Sequence, residues 1–341
     1  MANFFPAQLK VQPSFSEPDL IITYAQASGA FAALPGKKPR VKIGSEDLYV
    51  YVNRLDLRTE SVASQSAGNL LPSVSLSANY DQTQTYLIQT RATYDHHDQR
   101  AAAQYAVSLP AANDLAMRQG IFQQMRSGLL YGFHASNGEG LLNSTGATQV
   151  TMPPDQYGNT TVQTYDNGDM ALWLLGEIAA LKTGMFQSGG NIKNNIVMVG
   201  PQRVLLYLQQ VAIVQITSYQ RPGAGSATVT GTIKDIANGG GDEFEWYFDD
   251  TLEGKGAGGS DAVILTIPEI EQPDVPGINT NVFPDLQPNM KAVNLMYADM
   301  AAPMKIPTPV PDGGITEVQE LRVSSGWNIR PQGLYILSMA Y

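Results

Sequence analysis

Ser108 to Asn143 reads SLPAANDLAMRQGIFQQMRSGLLYGFHASNGEGLLN, and this stretch decides the fold. Ser108 precedes Leu109 and Pro110, a helix start in which the proline falls in the first turn, where its missing N–H costs nothing. Ala111, Leu115, Phe122, Met125, Leu129 and Phe133 follow at intervals of 4, 7, 3, 4 and 4, so they share one face. The spacing predicts a long one-sided helix over 108–134, ended by Gly138 and Gly140. About 24 residues reach ~36 Å, enough to act as the backbone of a domain.

Before this helix the pattern changes twice. Residues 1 to about 45 contain Pro6, Pro13, Pro18, Pro35 and Pro39, which block continuous helix and favour an extended arm. Its one apolar cluster is Leu20, Ile21, Ile22 and Tyr24, and Lys37, Lys38, Arg40 and Lys42 concentrate positive charge near its end. A solvated basic turn and a contact with an acidic neighbour or DNA are both open readings of that charge. A strand is expected over 48–53, and then a polar excursion over 54–82, longer than ordinary hairpin loops. The chain returns as a strand over 83–94, with Tyr86, Ile88, Thr90, Ala92 and Tyr94 on one face and Leu87, Gln89, Arg91 and Thr93 on the other.

Beyond the helix, 169–185 is a second amphipathic segment carrying Leu172, Leu175, Ile178, Ala179, Leu181 and Lys182. NIVMVG at 195–200 is a short buried strand, and Pro201 opens a third helix through Val204, Leu205, Leu208 and Val211. Residues 222–261 are glycine-rich and acidic, with strands expected at 229–233 and 244–248 and a flexible tip at 254–259. Further strands are expected at 263–267, 292–297, 318–323 and 334–340.

Composition narrows the function. Of 341 residues 43% are hydrophobic and only 15% charged, which suits a surface largely covered by neighbours, because interface cores are depleted in charge. A net charge of −10 argues against sequence-independent nucleic-acid binding. The absence of cysteine excludes disulfides, thiolate zinc sites and cysteine nucleophiles. No stretch matches a signal peptide or a membrane span, so the expected site of synthesis is the cytoplasm.

No catalytic, cofactor or metal site emerges. Asp95, His96, His97 and Asp98 are consecutive, so their side chains diverge and read as a polar boundary between strand and helix. GKGAGG at 254–259 fits the letters of a dinucleotide fingerprint but precedes a strand-like segment, not a helix. Asp242, Glu243, Glu245, Asp249, Asp250, Glu253 and Asp261 lack the spacing of a calcium loop and read as a solvated acidic face or a partner for the basic arm.

The order of parts resembles the Hong Kong 97-type major capsid proteins of tailed bacteriophages, a fold shared with encapsulin cages. The most specific local match is Gly140-Leu141-Leu142-Asn143 just after the long helix. The resemblance implies an α+β chain divided into an extended N-arm (1–47), an E-loop on its β ribbon (48–94), a P-domain (95–194) with the spine helix 108–134, an A-domain (195–290) and return strands of the P-domain (291–341). It implies a non-enzymatic shell subunit without cofactors, forming hexamers and pentamers around double-stranded DNA without specific binding. Its place would be the virion capsid, assembled in the host cytoplasm.

Portal and decoration proteins would be partners, together with a separate scaffolding protein or none, since no extra domain precedes the arm. An encapsulin-type compartment, a tail or adhesion protein, and an enzyme of unknown type are the competing readings. The arm and loop are poor in core residues, so Leu20, Ile21, Ile22, Tyr24, Leu70, Leu71 and Val74, with the four basic residues, are the candidate contacts to adjacent copies.

Overall fold

The computed structural model describes residues 34, 40–58, 75–103, 108–185, 194–210, 212–213, 227–228, 243–269, 293–311 and 313–341. Four helices are described: α1 (His96–Ala103), α2 (Leu109–Tyr131), α3 (Asn167–Met185) and α4 (Gln202–Gln210). The strands of the first half are β1 (Arg40–Lys42), β2 (Tyr49–Arg58), β3 (Ser75–Tyr94), β4 (Thr148–Thr151), β5 (Asn195–Gly200), β6 (Ala212–Ile213) and β7 (Ala227–Thr228). Those of the second half are β8 (Glu243–Phe248), β9 (Asp261–Thr266), β10 (Leu295–Asp299), β11 (Met304–Pro309), β12 (Ile315–Ser324), β13 (Trp327–Asn328) and β14 (Leu334–Met339).

Two sheets dominate, with β6 and β7 forming a separate two-stranded pair. One runs β1-β10-β12-β3-β2, with β11 added to β12 and β13 to β10; the other runs β4-β14-β9-β5-β8. The second sheet joins 148–151 and 334–339 to 195–200, so segments far apart in the chain are hydrogen-bonded partners in it.

Its central strands are buried on both faces, which is why NIVMVG and LYILSM read as unbroken apolar runs. Ile196, Met198, Val263, Leu265, Leu337 and Met339 point to a core roofed by α3 and α4. The alternate residues Val197, Val199, Ile264 and Ile336 join a second core with Ile121, Met125 and Leu129 of α2, Ile88 of β3, and Leu321 and Val323 of β12. The long helix is thus shared between the two sheets.

The strand at 195–200 and the helix after Pro201 fall where expected. The two longer helices turn inward faces that overlap the expected ones in part: Met125 and Leu129 of α2 and Ile178 and Leu181 of α3 are buried as expected, with Phe122, Phe133 and Leu175 packed beside them. In α2 the buried stripe is Met117, Ile121, Met125, Gly128, Leu129 and Leu130, while Ala111 and Leu115 are exposed. In α3 it is Met170, Ala171, Leu174, Ile178 and Leu181, and Leu172 is 69% exposed. Both sequences are apolar on more than one side, so several stripes satisfy a helical period and packing selects between them. The long helix also ends earlier than expected, at Gly132, whose N–H donates to the Gly128 carbonyl at a φ of 71°.

The acidic segment is more structured than its composition suggests. The turn at 254–259 is held by Gly254 N–H on Asp261 Oδ1 at 2.9 Å and Gly256 N–H on Ser260 O at 2.7 Å, and it leads into β9 rather than a helix. Asp249 and Asp261 are buried, not solvated: Asp249 accepts from Thr251 N–H, and Asp261 takes a bidentate pair from Arg203. Asp95 and Asp98 cap α1 reciprocally, each carboxylate accepting the other's backbone N–H, at 2.8 and 3.2 Å. The hydrogen bond from Asp98 N–H, with help from the two histidines, holds the Asp95 carboxyl below the usual carboxylate range.

Candidate assembly surface and its root

β3 belongs to two structures at once. Residues 85–94 pair with β12, from Ser324 opposite Thr85 to Ile315 opposite Tyr94. Among the described residues, 75–84 pair only with β2, from Arg58 opposite Ser75 to Tyr49 opposite Gln84. Half of this 20-residue strand is therefore sheet, and half is a two-stranded ribbon extending beyond it. At ~3.3 Å per residue the unsupported half reaches ~33 Å.

This corrects the expected boundaries. Residues 54–58 and 75–82, expected as a polar excursion, are strand. Arm and loop, expected to be poor in core residues, still contribute to the subunit's own core among the described residues. Leu34, Val50, Ile88 and Tyr94 are buried, and β1 lies parallel to β10 with Arg40 opposite Tyr297 and Lys42 opposite Asp299.

The alternation expected on 86–94 is present: Ile88 and Tyr94 are buried, while Leu87, Gln89, Arg91 and Thr93 are exposed. The inward face continues out along the ribbon. Tyr80, Gln82 and Gln84 share its parity, and their partners across the ribbon are Asn53, Tyr51 and Tyr49. Tyr49, Tyr51 and Tyr80 are 50, 60 and 61% exposed, and their rings form a ladder with centroids 6.5 and 6.0 Å apart. A face that packs on α2 at its root thus runs on as aromatic surface that stays open to solvent.

The root is built at the end of α2. Gly132 and Gly140, both at positive φ (71° and 84°), bring two backbone segments so close that a Cβ on Gly140 would overlap Gly132 and Tyr131. Asn143 Nδ2 donates to the Tyr131 carbonyl at 2.8 Å, a carbonyl left free where the helix stops. Leu141 is fully buried beneath them. The Gly-Leu-Leu-Asn letters therefore have a physical role: close approach, anchor and cap.

Glu139, in the same turn, reaches the ribbon. Its Oε1 accepts from Tyr86 Oη at 2.6 Å, and its Oε2 accepts from His134 N–H at 3.1 Å and Ser325 Oγ at 2.9 Å. Burial first, and then this bond to a carboxylate, push the Tyr86 phenol well above the ordinary tyrosine range. The Tyr86 ring lies 4.6 Å from that of Phe133, which in turn fills the space over Gly128. From the other face, Thr85 Oγ1 donates to Asp47 O at 2.5 Å, and Arg322 donates to Ser45 O and Thr85 Oγ1 at 2.5 and 3.2 Å.

Comparison with known structures now has a geometry to meet. No family model matches the sequence, and no curated protein resembles it significantly. The capsid of Myoviridae phage XM1 matches with a TM-score of 0.64 at 11% identity, over 96% of this chain and 96% of that one. The capsid of cyanophage P-SCSP1u matches at 0.55 and 10% identity over 99% of both. A structure from Mycobacterium phage Che8 matches at 0.52 and 13%, over 97% of this chain and 98% of that one. The chain has the Hong Kong 97-like capsid fold.

Of the expected contact residues, Arg40 and Lys42 lie in β1, where Lys42 is exposed. Leu20, Ile21, Ile22, Tyr24, Lys37, Lys38, Leu70, Leu71 and Val74 lie outside the described residues. The tyrosine ladder and Glu139 were missed. The alternation Tyr49-Val50-Tyr51-Val52 carried a signal, two aromatics on one strand face; the Glu139–Tyr86 pair, 53 residues apart, carried none.

Proposed function

We propose that this chain is a tailed-phage major capsid protein, a structural subunit that closes into hexamers and pentamers of an icosahedral shell around double-stranded DNA. The observation that carries the reading is the ribbon. A two-stranded hairpin is marginal by itself in water, yet this one projects ten residue pairs beyond its sheet with its aromatic face open. A second copy that covers the ladder would stabilise both. Rigid aromatic side chains are the usual anchors of such contacts.

On this reading 1–47 is the arm, 48–94 the loop and ribbon, 95–194 and 291–341 the peripheral domain, and 195–290 the axial domain. Strands 148–151 and 334–339 are counted with the axial sheet, into which they hydrogen-bond. The subunit would do no chemistry. Its net charge of −10 suits a wall that encloses DNA without holding it. Assembly would take place in the host cytoplasm, with portal, scaffolding or decoration proteins as further partners.

The test is expression of the full chain, alone and with the products of its neighbouring genes, followed by sedimentation and electron microscopy. Closed particles are expected. The double variant Tyr51→Ser/Tyr80→Ser should keep its fold but lose about 2 kcal/mol per anchor, roughly 25-fold in affinity for each, and shift the population to free subunits. A chain that stays monomeric at every concentration in both settings would end the capsid reading.

A further inference from the structure

Glu139 does more than close its own turn. It lies between Gly138 and Gly140, and its two oxygens hold one donor from the nearby exit of α2 and two from distant parts of the chain. Tyr86 comes from the ribbon strand, His134 from the exit of α2, and Ser325 from the end of β12. A carboxylate accepts from all three because it has no donor of its own, whereas an amide would turn an N–H2 toward one of them. Bonds to an ionised acceptor are also shorter and stronger than neutral ones.

The position of Tyr86 matters as much as its partner. It stands opposite Val323, one residue inside the last β12 pair, so it is the first inward-facing side chain where the ribbon gains support. Beyond Thr85, the last residue paired with β12, the strand pairs with β2 alone among the described residues, and the twist of two-stranded ribbons exceeds that of larger sheets. Over ~33 Å a change of about 5° at the root moves the tip by ~3 Å. Interfaces packed as densely as protein interiors do not absorb such a shift.

We propose that Glu139 is a positioning residue that fixes the direction of the ribbon relative to the long helix through Tyr86, and thereby sets the angle between neighbouring copies in the shell. The proposal rests on the capsid reading. Because the same residue forms part of the turn that caps α2, ribbon and helix end are held as one body. The partner whose geometry is specified is a second copy of this chain.

The experiment compares Tyr86→Phe, Glu139→Gln and Glu139→Ala with the parent protein and with Ser325→Ala, which removes a donor that does not touch the ribbon. Thermal unfolding reports the fold, hydrogen exchange of 75–84 reports the ribbon, and electron microscopy reports particle diameter. Tyr86→Phe and Glu139→Ala are expected to keep associating while losing the single diameter, giving mixed shells, tubes or open sheets, with faster exchange confined to the ribbon. Ser325→Ala should lower stability and leave diameter unchanged.

Parent-like diameters in Tyr86→Phe and Glu139→Gln would overturn the proposal, even if Glu139→Ala failed to fold. Absence of particles from the parent protein would instead overturn the capsid reading on which it stands.

Discussion

Gly140 accepts a backbone conformation and a closeness that no other residue tolerates, and the consequence can be measured. At φ 84°, with the Gly132 backbone where a Cβ would sit, Gly140→Ala must either strain the turn or push it off the helix end. A loss of about 2–4 kcal/mol in chemical denaturation is expected. Gly176→Ala, on an exposed helical position with open space around it, should be neutral or stabilising. At this scale the sequence was legible where letters act on their neighbours. The Asp95–Asp98 boundary became a capping box, and Gly-Leu-Leu-Asn became a turn. The Tyr86–Glu139 bond was not legible, because nothing in either neighbourhood encodes a partner so far along the chain.

Among elements, sheet pairing outweighed propensity. Residues 75–82, Ser-Leu-Ser-Ala-Asn-Tyr-Asp-Gln, are poor strand formers, and they are strand because β2 pairs with them residue by residue. The helices show the converse limit: their existence was plain from periodicity, but the buried face was chosen by the sheets they cover.

The link between α4 and β9 gives a prediction in pH. Burial works to raise the Asp261 carboxyl, but the Arg203 guanidinium and the Gly254 N–H more than offset it and hold it below the usual carboxylate range. A depressed folded value means stability that is present above about pH 4 and lost as pH falls through the folded value. Arg203→Met should cost about 1–3 kcal/mol at neutral pH by leaving a buried carboxylate with two donors fewer. The acid slope of its unfolding free energy should also flatten or reverse, because burial then dominates. An unchanged slope in urea melts between pH 3 and 6 would show that Asp261 does not depend on Arg203.

For the whole molecule, the readable feature among the described residues was the order of elements: ribbon strands, long helix, then mixed elements and returning strands. What it did not show is that α2 lies in a core shared by both sheets, or that the ribbon is anchored in its own subunit. Hydrogen exchange should separate the two halves of β3. Amides of 85–94 should be protected in free subunits and in particles alike, while those of 49–58 and 75–84 should slow markedly only in particles. Equal protection in both states would mean that the ribbon needs no neighbour.

The outer edge of β11 bears on a different hazard. Met304–Pro309 is exposed along its whole length and, among the described residues, pairs with β12 alone, and it carries Pro307 and Pro309 at alternate positions. Neither proline has an N–H to offer, and prolines in sheets stand with that nitrogen toward the free side. An incoming strand would find gaps where its carbonyls need donors, so this margin resists runaway stacking into fibrils. On the capsid reading, a protein made in very large numbers within one cell would gain from such a built-in stop, which would leave ordered growth to proceed through surfaces that close upon themselves.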